Sequence, residues 1–179
     1  VYRLYTSGTT GEPKGICISD RNLNNFLFGM ETVFRNLDFN CISASTVLSF
    51  DLSIFEIFYP VIHGCPAIIL KDPAEFNDFL ETHSKVLINT VPSVMMAIDK
   101  TLLHKAAIIC CAGEPFLSRL FSEIKQAAPQ ALIFNFYAPA ETTTYSTVKQ
   151  MISKQDACVI GKTLPNESIT IIDQKGHAL

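Results

Sequence analysis

The chain has 179 residues, 48% of them hydrophobic and 17% charged, enough apolar material for one globular domain with a substantial core and a poor match to a disordered or fibrous protein. Its formal net charge is -3 and its basic residues are spread singly, so neither nucleic acid nor an anionic membrane surface finds a concentrated footprint. The longest apolar run, Ala106 to Ala112, falls far short of the roughly 20 residues a membrane helix needs, and the N-terminus lacks the charged-then-apolar order of a signal peptide, so a cytoplasmic location is expected.

In chain order, an apolar run predicts a strand at Val1 to Tyr5, then a loop of small and hydroxyl residues, then a second strand at Gly15 to Ser19. The patterning next predicts a helix at Arg21 to Phe34, a strand at Thr46 to Ser49, a helix at Leu52 to Ile62 and a strand at Ala67 to Leu70. A helix at Ala74 to Thr82, a strand at Val86 to Thr90, a helix at Ser93 to Lys100 and a strand at Ala107 to Cys111 follow. Leu117, Leu120, Phe121, Ile124 and Ala128 form one helical stripe, and strands are expected at Ala131 to Asn135 and Ile169 to Ile172. Strands and helices in alternation predict an α/β fold, a largely parallel sheet layered with helices. In such sheets ligands gather beyond the carboxyl ends of strands, which singles out the segments after Tyr5, Thr90, Cys111 and Asn135. No repeat or linker marks a boundary. The chain starts inside a strand and stops soon after another, so a partial domain over 1–179, truncated at both ends, is expected.

Six cysteines contain no C-x-x-C pair, and four histidines contain no H-x-x-x-H pair. The cysteines are expected to be reduced and mostly packed as small hydrophobes, and zinc is not expected.

The stretch Tyr5 to Gly15, Y-T-S-G-T-T-G-E-P-K-G, carries more chemistry than its surroundings. Its glycines let the backbone turn so that N–H groups approach phosphate oxygens, its hydroxyls add donors, and Lys14 adds a mobile positive charge. It fails the P-loop pattern G-x-x-x-x-G-K-[ST] twice, with Pro13 in place of the second glycine and Gly15 in place of the hydroxyl residue. Taken alone it also fits an ordinary turn rich in small polar residues.

Four further motifs decide between these readings. Phe50-Asp51-Leu52-Ser53 precedes the predicted helix, Ala112-Gly113-Glu114 follows a predicted strand, and Asn135-Phe136-Tyr137-Ala138-Pro139-Ala140-Glu141-Thr142-Thr143 and Ile160-Gly161-Lys162 come later. Together and in this order they resemble the adenylate-forming, AMP-binding superfamily of acyl-CoA synthetases, luciferases and peptide-synthetase adenylation domains. The match is to the F-D-x-S, A-G-E, N-x-Y-G-P-T-E-T-T and I-G-[RK] segments, and it is best with a nonribosomal peptide synthetase amino-acid adenylation domain, as a piece of its large N-terminal domain.

That resemblance implies ATP-dependent activation of an amino-acid carboxylate as an aminoacyl-adenylate, for transfer to a carrier-protein thiol. It implies a phosphate loop of Thr6, Ser7, Gly8, Thr9, Thr10, Gly11 and Lys14, adenine contacts from Gly113, Asn135 and Tyr137, Mg²⁺ held by Glu141 and an α-phosphate contact from Thr142. Lys14, Glu141 and Thr142 would carry the catalytic electrostatics; no general base is needed, because a carboxylate is already ionised at neutral pH. Asp51 would pair with the substrate's ammonium, a reading compatible with an Asp N-cap on the following helix. The rest of the amino-acid pocket would be Leu52, Phe55, Asn89, Cys110, Ala112, Phe136, Thr144 and Tyr145, bulky and neutral apart from Asp51, which favours a small neutral amino acid. The implied partners are the amino acid, ATP and a carrier protein, bearing phosphopantetheine, or adjacent synthetase domains.

Ala138 stands where the family has glycine and Ala140 where it has a hydroxyl residue, so lost backbone freedom and a lost hydrogen bond of about 0.5 to 1.5 kcal/mol are expected near the nucleotide. The family's ribose-binding aspartate, hinge and small C-terminal domain with its lysine would lie after Leu179, and the 179 residues by themselves are expected to show little pyrophosphate exchange. An acyl-CoA or aryl-acid ligase fragment, disfavoured by Asp51, and a non-catalytic nucleotide-binding remnant are the alternatives.

Overall fold

The computed structural model describes residues 1–7 and 13–179, with the side chains of all of these but Thr6 and Ser7. Strands β1 (Tyr2–Ser7) and β2 (Pro13–Ile18) form an antiparallel hairpin in which Tyr2 faces Ile18 and Ser7 faces Pro13. Helix α1 (Asp20–Phe34) starts on a capping box: the Asn22 N–H donates to Ser19 Oγ and the Ser19 N–H donates to Asn22 Oδ1, each at 3.2 Å. Leu23, Phe26, Leu27, Met30 and Phe34 then recur at three- and four-residue steps and form its buried stripe.

The main sheet is built from β3 (Cys41–Ala44), β4 (Ala67–Ile69), β5 (Val86–Thr90), β6 (Ala106–Cys111), β7 (Leu132–Tyr137), β8 (Thr147–Met151) and β9 (Lys162–Thr163). Its order is β4-β3-β5-β6-β7-β8-β9, parallel as far as β7 and antiparallel at β7-β8 and β8-β9. The crossovers carry α2 (Leu52–His63), α3 (Phe76–Thr82), α4 (Pro92–Ala97) and α5 (Ser118–Ala127).

Side chains of successive strand residues point to opposite faces, and here this divides the core in two. Leu87, Ile108, Cys110, Phe134 and Phe136 pack with α1 and α2 on one face. Val86, Ile88, Ile109, Cys111 and Ile133 pack with α3 and α5 on the other. Strands covered on both faces lose their alternation, which is why β5, β6 and β7 read in the sequence as near-continuous apolar runs.

The largely parallel α/β architecture expected from the sequence is the one observed, with local corrections. The strand expected at Thr46 to Ser49 lies at Cys41–Ala44 instead; the later segment is loop, with Val47 and Leu48 exposed. The run Ile169 to Ile172 is not a strand, since Ile169 and Ile171 stay exposed and Ile172 makes a single bridge to Ala178. Strands β8 and β9 escape the pattern because Thr147-Val148-Lys149-Gln150-Met151 is half polar and β9 has only two residues. The helix expected over Ser93 to Lys100 ends at Ala97, where Lys100 Nζ turns back to donate to the carbonyls of Met95, Met96 and Ile98 at 2.9 to 3.0 Å. All six cysteines are free, with Cys41, Cys110 and Cys111 buried and Cys17 and Cys158 exposed.

Candidate active site

The loops beyond the carboxyl ends of β3, β5, β6 and β7 converge, and each is tied to a neighbour. After β3 the chain returns to α2 through Thr46, whose N–H donates to Glu56 Oε2 at 2.9 Å and whose hydroxyl donates to Glu56 Oε1 at 2.6 Å. After β6, Gly113 has φ +79°, a conformation that only glycine adopts cheaply, and a side chain there would point at Phe50 and Val91. Glu114 reaches across to accept from the N–H and the hydroxyl of Ser93 at 2.9 and 2.8 Å, covering the start of α4.

A cleft of about 370 Å³ opens beside this turn, lined by Gly113, Phe116, Asn135, Tyr137, Ala138 and Cys158 among others. Tyr137 closes β7 with half of its surface exposed. Asn135 is buried and its Nδ2 donates to the Val159 carbonyl at 3.2 Å, fixing the far wall of the cleft. The expected loss of freedom at Ala138 is corrected by its backbone: the non-glycine residues with positive φ, among those described, are Lys85, Thr143, Thr144 and Asn166, so alanine sits there without left-handed strain.

The strain lies further along. Ala140–Thr142 form one 3₁₀ turn, after which Thr143 and Thr144 take φ values of 69° and 68°, uncommon for β-branched residues and costing of order 1 to 3 kcal/mol each. The Thr142 hydroxyl is engaged, donating to the Pro139 carbonyl at 2.8 Å and accepting from the Ser146 hydroxyl. Glu141 is exposed and borders a second cleft of about 320 Å³ with Asn22, Asn25 and Glu167. Asn25 Nδ2 donates to the Pro165 carbonyl at 3.3 Å and so holds the segment after β9 over α1. Lys14 is exposed on β2, opposite Thr6. Thr6 and Ser7 end β1, whereas Gly8, Thr9, Thr10 and Gly11 lie outside the described residues.

The residues expected to line an amino-acid pocket come from one face of the sheet and from the helix above it. Asn89, Cys110, Ala112 and Phe136 stand on β5, β6 and β7 or just beyond, Leu52 and Phe55 on α2, and Thr144 and Tyr145 in the strained loop; all are buried. Tyr145 stacks on Phe136 at a ring-centroid distance of 4.4 Å and lies 5.7 Å from Phe55 and from Phe26. Its hydroxyl donates to Asn89 Oδ1 at 2.7 Å, and Asn89 Nδ2 donates to Glu56 Oε1 at 2.9 Å.

Asp51 is 4% exposed, and its Oδ2 is buried with no hydrogen-bond partner among the described residues. Burial lifts its carboxyl from the ordinary 3.8 to about 6; the amides of Asp51 and Leu52 pull it back in part, and the charge of Glu141 pushes it further up. The N-cap role compatible with the sequence is absent. Asp51 has helical torsions, φ −66° and ψ −23°, and those amides lie near the carboxylate without forming a capping hydrogen bond. The Thr144 hydroxyl donates to the Asp51 carbonyl at 3.2 Å.

Two residues beside this group went unmarked in the sequence. Tyr2 has a buried hydroxyl toward which Thr144 leans without reaching hydrogen-bond geometry; burial raises its phenol pKa, Thr144 lowers it, and the nearby Asp51 carboxylate raises it. Glu56 carried a signal, as a lone charge inside the apolar helix Leu52–His63, and it is 1% exposed.

A family model described as AMP-binding enzyme matches residues 1–179. The chain is 32% identical over 177 residues to one component of the linear gramicidin synthase of Brevibacillus parabrevis, an alignment that covers 97% of this chain and 3% of that protein. It is 31% identical over 190 residues to the D-alanine--D-alanyl carrier protein ligase of Lactococcus lactis, covering 97% of this chain and 38% of the ligase. Among solved structures it superposes with a TM-score of 0.85 on the adenylation domain AlmE of Vibrio cholerae in complex with glycyl-adenosine-5'-phosphate, at 26% identity over 98% of this chain and 35% of that one. The chain thus spans a minor part of each of these relatives.

Proposed function

We propose that this chain, which belongs to the AMP-binding enzyme family, is the substrate- and nucleotide-binding core of an enzyme that joins an amino acid's carboxylate to the AMP moiety of ATP. A carboxylate oxygen attacks the α-phosphorus, the bond from that phosphorus to the pyrophosphate oxygen breaks, and pyrophosphate leaves. The observation that carries the amino-acid reading is the Asp51 carboxylate, buried, raised in pKa and unpartnered at Oδ2. A buried charge without a partner is expensive, and a substrate ammonium would supply the missing partner.

From that anchor the rest of the substrate has a direction. The amino acid's side chain would enter the aromatic group of Phe55, Phe136 and Tyr145, and adenine would lie in the cleft against Tyr137 beside Gly113 and Asn135. Thr142 and the segment from Thr6 to Lys14 would bind the phosphates. Rate then comes from alignment and from positive charge on the phosphates, with no proton to remove from the nucleophile. Glu141 fits Mg²⁺: a hard cation shared with phosphates and waters takes one or two protein carboxylates, and Glu141 is exposed and close enough to Asp51 to raise that carboxyl. When bound, the ion would neutralise phosphate charge.

Tight aromatic packing around the pocket supports a small neutral side chain, and relatives named for D-alanine and bound to a glycyl adenylate fit this choice. Transfer to the phosphopantetheine thiol of a carrier protein, or of an adjacent synthetase domain, completes the reading, with the lysine-bearing C-terminal domain supplied by the larger protein. The test is calorimetric binding of sulfamate-linked, non-hydrolysable alanyl- and propionyl-adenylate analogues. The alanyl compound is expected to bind at least tenfold more tightly, since a charged hydrogen bond contributes about 1.5 to 3 kcal/mol. Equal affinities would reject amino-acid activation in favour of a ligase for acids that lack an amino group.

A further inference from the structure

A buried carboxylate is an odd choice for Glu56. Its neighbours on α2, Ile54, Phe55 and Tyr59, are buried and mostly apolar, and an apolar side chain would fill the same space without desolvating a charge. Glu56 instead collects three donors: the Thr46 N–H at 2.9 Å, the Thr46 hydroxyl at 2.6 Å and Asn89 Nδ2 at 2.9 Å. Asn89 links this carboxylate to Tyr145 on the same face of the sheet. An ionised carboxylate accepts only, so Asn89 must turn its NH₂ toward Glu56 and its Oδ1 away. That oxygen then faces the Tyr145 hydroxyl at 2.7 Å and fixes it as a donor.

We propose that Glu56 is a positioning residue for substrate size: through Asn89 it pins the hydroxyl end of Tyr145, and the pinned ring forms a rigid wall of the amino-acid pocket. This rests on the amino-acid reading above. The ring is held at its other surfaces by Phe136, stacked at 4.4 Å, and by Phe55 and Phe26 at 5.7 Å. With a glutamine at position 56, which both donates and accepts, Asn89 can take either amide orientation and at least one of the three donors loses its acceptor. Tyr145 then loses its single fixed acceptor and the wall gives way to larger side chains. Glu56 touches no reacting atom in this scheme.

The experiment measures dissociation constants of the full 179-residue chain for sulfamate-linked alanyl- and leucyl-adenylate analogues. The unsubstituted chain is expected to prefer the alanyl compound, and Glu56→Gln to reduce that preference by about tenfold, the scale on which pockets discriminate by one methylene. Tyr145→Phe is expected to reduce it similarly, and the double variant little further, because both changes act on one chain of contacts. A Glu56→Gln variant that weakens both compounds in proportion and leaves their ratio unchanged overturns the assignment, and so does full additivity in the double variant. If Glu56→Gln does not fold, Tyr145→Phe alone decides, an unchanged ratio being the refuting result. No binding of either compound to the unsubstituted chain refutes the adenylate reading itself and the role of Glu56 with it.

Discussion

Replacing Asp51 by alanine separates a residue kept for a ligand from one kept for the fold. The rise of its carboxyl from 3.8 to about 6 corresponds to about 3 kcal/mol in favour of the neutral form in the folded chain. The sign follows from linkage. Below pH 3.8 both states are protonated and the contribution is full. Between 3.8 and about 6 only the folded state keeps the proton, and as pH passes through about 6 the contribution is lost. At pH 8 the wild-type chain therefore holds an ionised carboxylate that disfavours folding, and Asp51→Ala relieves it at the cost of about 1 kcal/mol of packing. The difference in unfolding free energy, wild type minus variant, is expected to fall by about 2.5 kcal/mol between pH 4, where the unfolded chain is already more than half ionised, and pH 8, with the variant the more stable at the upper end. Urea denaturation at a series of pH values measures it. The variant should also lose at least tenfold in affinity for an alanyl-adenylate analogue while keeping its affinity for the propionyl analogue. A variant less stable than wild type at pH 8, with unchanged affinity for the alanyl compound, would show that Asp51 serves the fold.

Gly161→Ala and Gly64→Ala form a matched pair, since the two glycines have φ values of +88° and +80°, but a methyl group at Gly161 would collide with the Val148 carbonyl oxygen whereas one at Gly64 meets none of the described residues within 4 Å. Thermal denaturation is expected to show a loss of about 1 kcal/mol at Gly64 and about 3 kcal/mol or more at Gly161; equal losses would mean that space at Val148 does not matter. Cys158 is exposed and lines the cleft assigned to adenine, whereas Cys17 is exposed on β2. ATP should slow alkylation of Cys158 several-fold relative to Cys17 in a mass-spectrometric time course, and an unchanged ratio would move the nucleotide elsewhere.

The layered α/β fold is legible because the strands buried on both faces, Val86–Thr90, Ala106–Cys111 and Leu132–Tyr137, are short, strongly apolar runs separated by helical stripes. Strand β3 is harder, since Ser43 interrupts the run while Val47 and Leu48 just beyond it imitate one. Strand β8 and the two-residue edge strand β9 carry polar residues suited to a half-covered position and lose their signal for that reason. The motifs around Asp51, Gly113 and Asn135 name candidate residues, yet their relations are tertiary. Local propensity makes Asp51 a good N-cap, and only the fold shows that its carboxylate caps nothing. Glu56 and Asn89 are 33 residues apart and Asn89 and Tyr145 are 56 apart, distances over which a hydrogen-bond chain leaves no periodicity to read. Ala138 teaches the converse: a departure from the glycine of a motif costs no strain where the backbone has an ordinary φ.

A crystal structure of the chain with the sulfamate-linked alanyl-adenylate analogue tests the central claim most directly. It is expected to show the ammonium within hydrogen-bond distance of Asp51 Oδ2, the methyl group against Tyr145 and Phe136, and adenine beside Tyr137 in the cleft behind Gly113. An analogue bound with its amino group in solvent and Asp51 still unpartnered would contradict the account.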